Sequence, residues 1–154
     1  MKALTVKQPW ADLIVQGRKT IELREWRPKH RGLLAIQAGL EVSTDDCREH
    51  NLDCDRLPKG AIVGTVEVAG VIEFDQDLWD ELRDQHLCSD REPGERLGWR
   101  LRNPRRLQQP VPCRGWPGKY DVPEDVAAQL RWADGGRVTE SPIFSDNKEE
   151  ANQQ

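Results

Sequence analysis

The sequence predicts an α+β fold, a small mixed β-barrel with flanking helices, and three observations carry that expectation. Leu33 to Ala38 is a near-continuous apolar run, as in a strand buried on both faces or lining a barrel. Ala61 to Phe74 is the longest β-prone stretch, and Gly64 and Gly70 interrupt it where a small closed barrel needs bulges or tight bends. Between the strand-like segments lie short stretches of helical periodicity. At 154 residues the chain suffices for one domain with a real core, but not comfortably for two.

Taken in order, Leu4 to Val6 is a short β-rich start. A helix over Pro9 to Gln16 follows, because Pro9 suits a first turn and Trp10, Leu13 and Ile14 fall on one face. Gly17 is the stop, since glycine tolerates the left-handed backbone that ends many helices. Lys19 to Trp26 then alternates as a strand, and residues 27–32 form a basic turn into the Leu33 to Ala38 strand. Glu41 to Leu52 reads as a surface helix, with Ser43 or Thr44 as cap before Asp45 and Asp46. After the turn at residues 57–60 comes Ala61 to Phe74, then a helix over Asp77 to Gln85 with Leu78, Trp79 and Leu82 inward. Gly98 to Leu101 and Arg105 to Val111 read as two strands split by Asn103-Pro104, and Val122 to Leu130 as a terminal helix starting at Pro123. The domain is placed at residues 1–133. Residues 134–154, polar and carrying a net charge of −3, are expected to be a flexible acidic tail.

Hydrophobic residues make up 36% of the chain and charged ones 32%, so the core is modest and six tryptophans must supply much of its area. The net charge of −4 argues against a generally basic nucleic-acid wrapper, but the charges are segregated. Residues 18–31 hold Arg18, Lys19, Arg24, Arg27, Lys29 and Arg31 against Glu22 and Glu25, and residues 91–119 hold eight cations against Glu92 and Glu95. Side by side the two segments would make a positive patch; apart they would merely solvate loops. Cys47, Cys54, Cys88 and Cys113 show no C-x-x-C pairing and no histidine at zinc spacing, so neither a metal site nor a cofactor is expected. No long apolar segment suggests a signal or a bilayer span, which points to a cytoplasmic protein with reduced thiols and no membrane partner.

Lys19 and Glu22 are the sharpest pair. An ammonium and a carboxylate in one partly desolvated cleft can bind a polar planar ligand such as a nucleobase, or act as acid or base if a pKa moves. A plain ion pair closing the barrel is the structural alternative. Strict alternation sets the two on opposite faces, so they converge only if Lys19 precedes the regular strand or a bulge intervenes. Arg24 shares the face of Glu22 and either holds that carboxylate or reaches a phosphate. Trp26 is the tryptophan expected to be exposed for stacking, whereas Trp10 and Trp79 look buried; Trp99 and Trp116 sit among the cations of residues 91–119. Lys29 and Arg31 in the basic turn, and Arg100 and Arg102 in the second basic segment, are the remaining candidates for nucleic-acid contact.

The ordered set Gln8-Pro9-Trp10, then Gly17-x-Lys19-x-x-Glu22-x-Arg24, resembles the ASCH family of the PUA-like superfamily of small β-barrels. Similarity continues through His30-Arg31-Gly32 and the apolar run after it, Gly60 to Val68, and more weakly Trp99 to Pro104, over roughly the first 120 residues. The resemblance implies a PUA-like barrel whose cleft, lined by Lys19, Glu22 and Arg24, binds RNA, another single-stranded nucleic acid or a modified nucleoside. Two rivals stay open: a small hydrolase of N4-acetylcytidine or RNA using Lys19 and Glu22, and a protein-interaction module of a regulatory assembly. A PUA-like amidohydrolase uses a lysine with a threonine three positions later. Here that position is Glu22, and the nearby hydroxyl of Thr20 is set one residue after Lys19.

Overall fold

The computed structural model describes residues 1–140. Six strands form one mixed sheet in the order β2-β5-β4-β3-β1-β6: β1 (Lys2–Gln8), β2 (Ile21–Arg24), β3 (Gly32–Val42), β4 (Ala61–Glu73), β5 (Leu97–Pro112) and β6 (Lys119–Asp121). β1 and β3 run parallel, Ala3 beside Ala35 and Thr5 beside Gln37, and every other pairing is antiparallel. The hydrogen-bonded order starts at β2 and ends at β6, so these strands form a ladder with two edges where a closed barrel was expected. The register of β4 on β5 shifts beside Gly64 and Gly70, as those glycines suggested. Gly64 has a packing duty too: a Cβ there would lie 2.5 Å from the Arg105 carbonyl oxygen and 2.6 Å from Val15 Cγ1.

Helix α1 (Trp10–Val15) lays Ala11, Ile14 and Val15 against Leu34, Ile36, Val66 and Trp99, forming one half of the core. The other half gathers Ala35, Ile62, Leu107, Val122 and Leu130, with α5 (Glu124–Ala127) and Trp132 beside it. α2 (Thr44–Glu49) is shorter than expected because Glu41 and Val42 extend β3; Ser43 caps it, accepting from the Asp46 N–H. The expected helix over residues 77–85 is two, α3 (Gln76–Glu81) and α4 (Arg83–His86), which meet at Leu82. β5 is a single strand, not two. Arg102 pairs with Glu67 and Arg105 with Thr65, so Asn103-Pro104 is absorbed as a bulge with Asn103 at φ 51°.

Five of the six tryptophans have partners in the packing. Trp79 and Trp99 are wholly buried, which corrects the grouping of Trp99 with a basic surface. Trp10 is half-buried against the core, and Trp132 donates Nε1–H to Thr65 Oγ1 at 2.9 Å. Trp26 meets Trp99 edge-on, with ring centroids 4.5 Å apart. Within the segment expected to be a tail, Val138 is buried and Asp134 pairs with Arg105 at 2.9 Å; residues 141–154 of that segment lie outside the described residues.

Candidate functional site

Gly17, at φ 85°, ends α1, and the N–H groups of Arg18 and Lys19 both bond to the Leu13 carbonyl at 3.0 Å. β2 begins only at Ile21, so Lys19 precedes the ladder and is exempt from its alternation. The first of the two routes to convergence is therefore the one taken. Lys19 is 4% exposed and Glu22 6%. Lys19 Nζ donates to the His86 carbonyl and lies 5.2 Å from the centre of the Trp10 ring. Arg24 donates through Nε and Nη2 to Glu22 Oε2, at 3.0 and 2.9 Å, and through Nη2 to the Thr5 carbonyl at 2.8 Å. Both arginine bonds land on one carboxylate oxygen. Glu22 Oε1 takes none of the hydrogen bonds found among the described residues.

Burial drives the Lys19 pKa below the ordinary lysine value, and Arg24 and Arg96 push the same way, against the pull of Glu22 and Cys88. His86 builds the wall behind it. Its Nδ1 accepts from the Cys88 N–H at 3.0 Å and its Nε2 faces the Trp79 carbonyl at 2.8 Å, so the neutral tautomer carrying the proton on Nε2 satisfies both. The ring stacks on Trp79 at 3.9 Å, and burial holds its pKa below the usual histidine value. Leu87, at φ 61°, ends α4 and turns the chain so that the His86 carbonyl and Cys88 face the cleft. Neither residue was legible as a site member, because a helix end offers no periodic signal.

These groups line a cleft of about 1550 Å³. Lys7, Lys19, Arg24, Arg96 and Arg114 line it along with the carboxylates of Glu22, Glu41, Asp46 and Asp90, and Trp10 and Trp116 supply aromatic faces. Arg96 is committed to Asp90 at 2.9 Å. Thr20, by contrast, turns its hydroxyl to Gln85, 3.5 Å away, and is not part of the lining.

The family model of the ASCH domain matches residues 4–111. The chain belongs to the ASCH family. Mouse activating signal cointegrator 1 is 27% identical over 126 residues, which cover 74% of this chain and 21% of that protein, so the chain spans about a fifth of the relative's length. Among solved structures, the ASCH protein of Zymomonas mobilis aligns with a TM-score of 0.59 at 14% identity, over 80% of this chain and 88% of that one. A tyrosine-to-phenylalanine mutant of the same Zymomonas mobilis protein aligns with a TM-score of 0.61 at 13% identity, over 84% and 97% of the two chains. At such identities these likenesses show a shared ASCH fold.

Of the candidate residues read from the sequence, this ASCH domain brings Lys19, Glu22 and Arg24 together in the cleft. Trp26, Lys29, Arg31, Arg100 and Arg102 are exposed to varying degrees but line no part of it. β2 and β5 do set the two basic segments side by side, yet carboxylates answer part of that charge: Arg27 pairs with Glu73, Arg102 with Glu67 at 3.8 Å, and Arg106 with Asp12 at 2.8 Å. Glu67 is thereby a partner on the sheet and lines no part of the cleft. Among the described residues no cluster of side chains could hold a metal ion, and no helix is long and apolar enough to cross a membrane.

Proposed function

We propose that this ASCH domain binds single-stranded RNA, taking a base or a modified nucleobase into the cleft held by Lys19, Glu22 and Arg24. The observation that carries this reading is the gathering of a buried ammonium, a buried carboxylate and a half-buried guanidinium in one concavity with Trp10 above the ammonium. Such a set offers donors and an acceptor to the edge of a heterocycle, and it costs little to reorganise because each head group is already fixed. Glu22 Oε1 suits an exocyclic amino group, and Lys19 suits a ring nitrogen or carbonyl oxygen. Family membership supports the same reading, since ASCH domains are generally thought to bind RNA. The likeness to a signal cointegrator leaves a place in a larger regulatory assembly compatible with it.

Fluorescence anisotropy with a labelled single-stranded RNA tests the proposal. Binding weakens as salt rises, with a slope of about −0.7 per phosphate neutralised, and Lys19→Met or Arg24→Gln lowers affinity at least tenfold at fixed salt. Wild-type affinity unchanged by either substitution refutes it. Turnover of N4-acetylcytidine that disappears in Glu22→Ala would assign the cleft to a hydrolase instead.

A further inference from the structure

We infer that the cleft has a second nucleotide subsite on the loop between β5 and β6, where Arg114 and Trp116 form a stacking platform, so that the ligand is a strand of at least two nucleotides and not a free nucleoside. This rests on the nucleic-acid reading above and extends it to the side of the cleft formed by the loop from β5 to β6.

Size is the first argument. Pockets for single small molecules run to about 300–1,000 Å³. This cleft holds about 1550 Å³. One base at Lys19 and Glu22 leaves much of it unfilled.

Continuity is the second, because a chain of contacts leads from one end to the other. Arg24 donates to the Thr5 carbonyl; Thr5 is the register partner of Gln37 across the parallel β1–β3 pair; and Gln37 Nε2 donates to the Cys113 carbonyl at 2.8 Å. Above them passes the loop from β5 to β6. A Cβ at Gly115 would sit 2.6 Å from Thr5 Oγ1 and 2.7 Å from Gln37 Oε1, so the loop backbone lies directly on this floor. Thr5 Oγ1 and Gln37 Oε1 are buried beneath it, and Gln37 is 1% exposed.

The third argument is what the loop presents. Trp116 is 47% exposed, lines the cleft, and has the Arg114 guanidinium 4.1 Å from its ring centre. Among the described residues no carboxylate pairs with Arg114. An exposed indole beside such an arginine matches what single-strand binders use: the ring stacks a base of any identity while the cation meets the phosphate next to it. Trp26 is a poorer candidate, because it leans edge-on against Trp99 outside the cleft.

The test compares a ribonucleoside 5′-monophosphate with a single-stranded RNA tetranucleotide, by titration calorimetry on the full chain. Wild type binds the tetranucleotide at least tenfold more tightly. Trp116→Ala lowers tetranucleotide affinity about five- to hundred-fold, the worth of one stacked base, and leaves the monophosphate unchanged. Trp116→Phe retains most of the binding, and Trp26→Ala loses none. Equal affinity for the two ligands, or a Trp116→Ala effect identical on both, overturns the second subsite while leaving a nucleobase site at Lys19 intact. No binding of either ligand to wild type overturns both readings.

Discussion

The cleft cations and the cations of the outer surface are the same residue types in two settings. Lys19 and Arg24 have lost much of their water and are held by fixed partners, the His86 carbonyl, Glu22 and the Thr5 carbonyl. Lys29 and Arg31 remain exposed, and among the described residues Arg31 binds nearby carbonyls, those of Pro28 and His30. A buried charge costs stability unless paired, so its retention calls for a reason, whereas an exposed one costs little and needs none. Under the proposed function, the contrast separates the groups that would select a ligand from those that would at most attract it.

The largest effect belongs to the buried pair. Glu22→Gln leaves Lys19 and Arg24 without their counter-charge, and should cost about 3 kcal/mol, the low end for breaking a buried pair because Arg24 keeps a quarter of its side chain in water. Chemical denaturation measures it, and a loss under about 0.5 kcal/mol would place the pair among ordinary surface bridges. Lys19→Met runs the other way. Desolvation dominates at this lysine, so removing the ammonium should hold or raise the melting temperature while abolishing RNA affinity. A fall in both would make Lys19 a structural residue.

Next comes the response to pH. Burial lowers the His86 pKa in the folded state, so as pH falls below the ordinary histidine value of 6.5 the unfolded chain takes up the proton first. Stability is therefore full above that value and declines toward the folded pKa, by at most about tenfold in the unfolding constant per pH unit. Lys19 has the same sign in an alkaline window: stability rises as pH climbs from its folded pKa toward 10.5. Melting temperatures between about pH 5 and 10 should show the acid slope directly and the Lys19 contribution as the difference between wild type and Lys19→Met, because burial raises the Cys47 and Cys113 thiols and their titration opposes it. The smallest effect is that of Lys29→Gln or Arg31→Gln, each expected to change RNA affinity less than about threefold and the salt slope by under about 0.7.

Much of this was written locally. Gly17 had to stop α1, and that stop is what frees Lys19 from the strand and lets it line the same cleft as Glu22. The apolar run at Leu33 to Ala38 and the bulge glycines of β4 likewise appear where their side chains, or lack of them, demand. What was not legible depends on contacts distant in sequence. β6 is three residues between Gly118 and Val122, too short to show a period, and it exists because β1 offers an edge. Asn103-Pro104 reads as a break, yet the partner β4 absorbs the extra residue and keeps β5 whole. The loop side of the cleft was hidden for the same reason: Thr5, Gln37 and Trp116 come to line one cleft only through sheet pairing and a loop. For Trp116 a cue did exist, since Gly115, Pro117 and Gly118 around it are turn residues that favour exposure.

Ultraviolet cross-linking of a single-stranded RNA to the full chain, with adducts mapped by mass spectrometry, tests the central claim most directly. Adducts on the cleft lining, at Trp10, Lys19 and Trp116, are the expected result. Adducts confined to Lys29, Arg31, Arg100 and Arg102, with the cleft unlabelled, would contradict it.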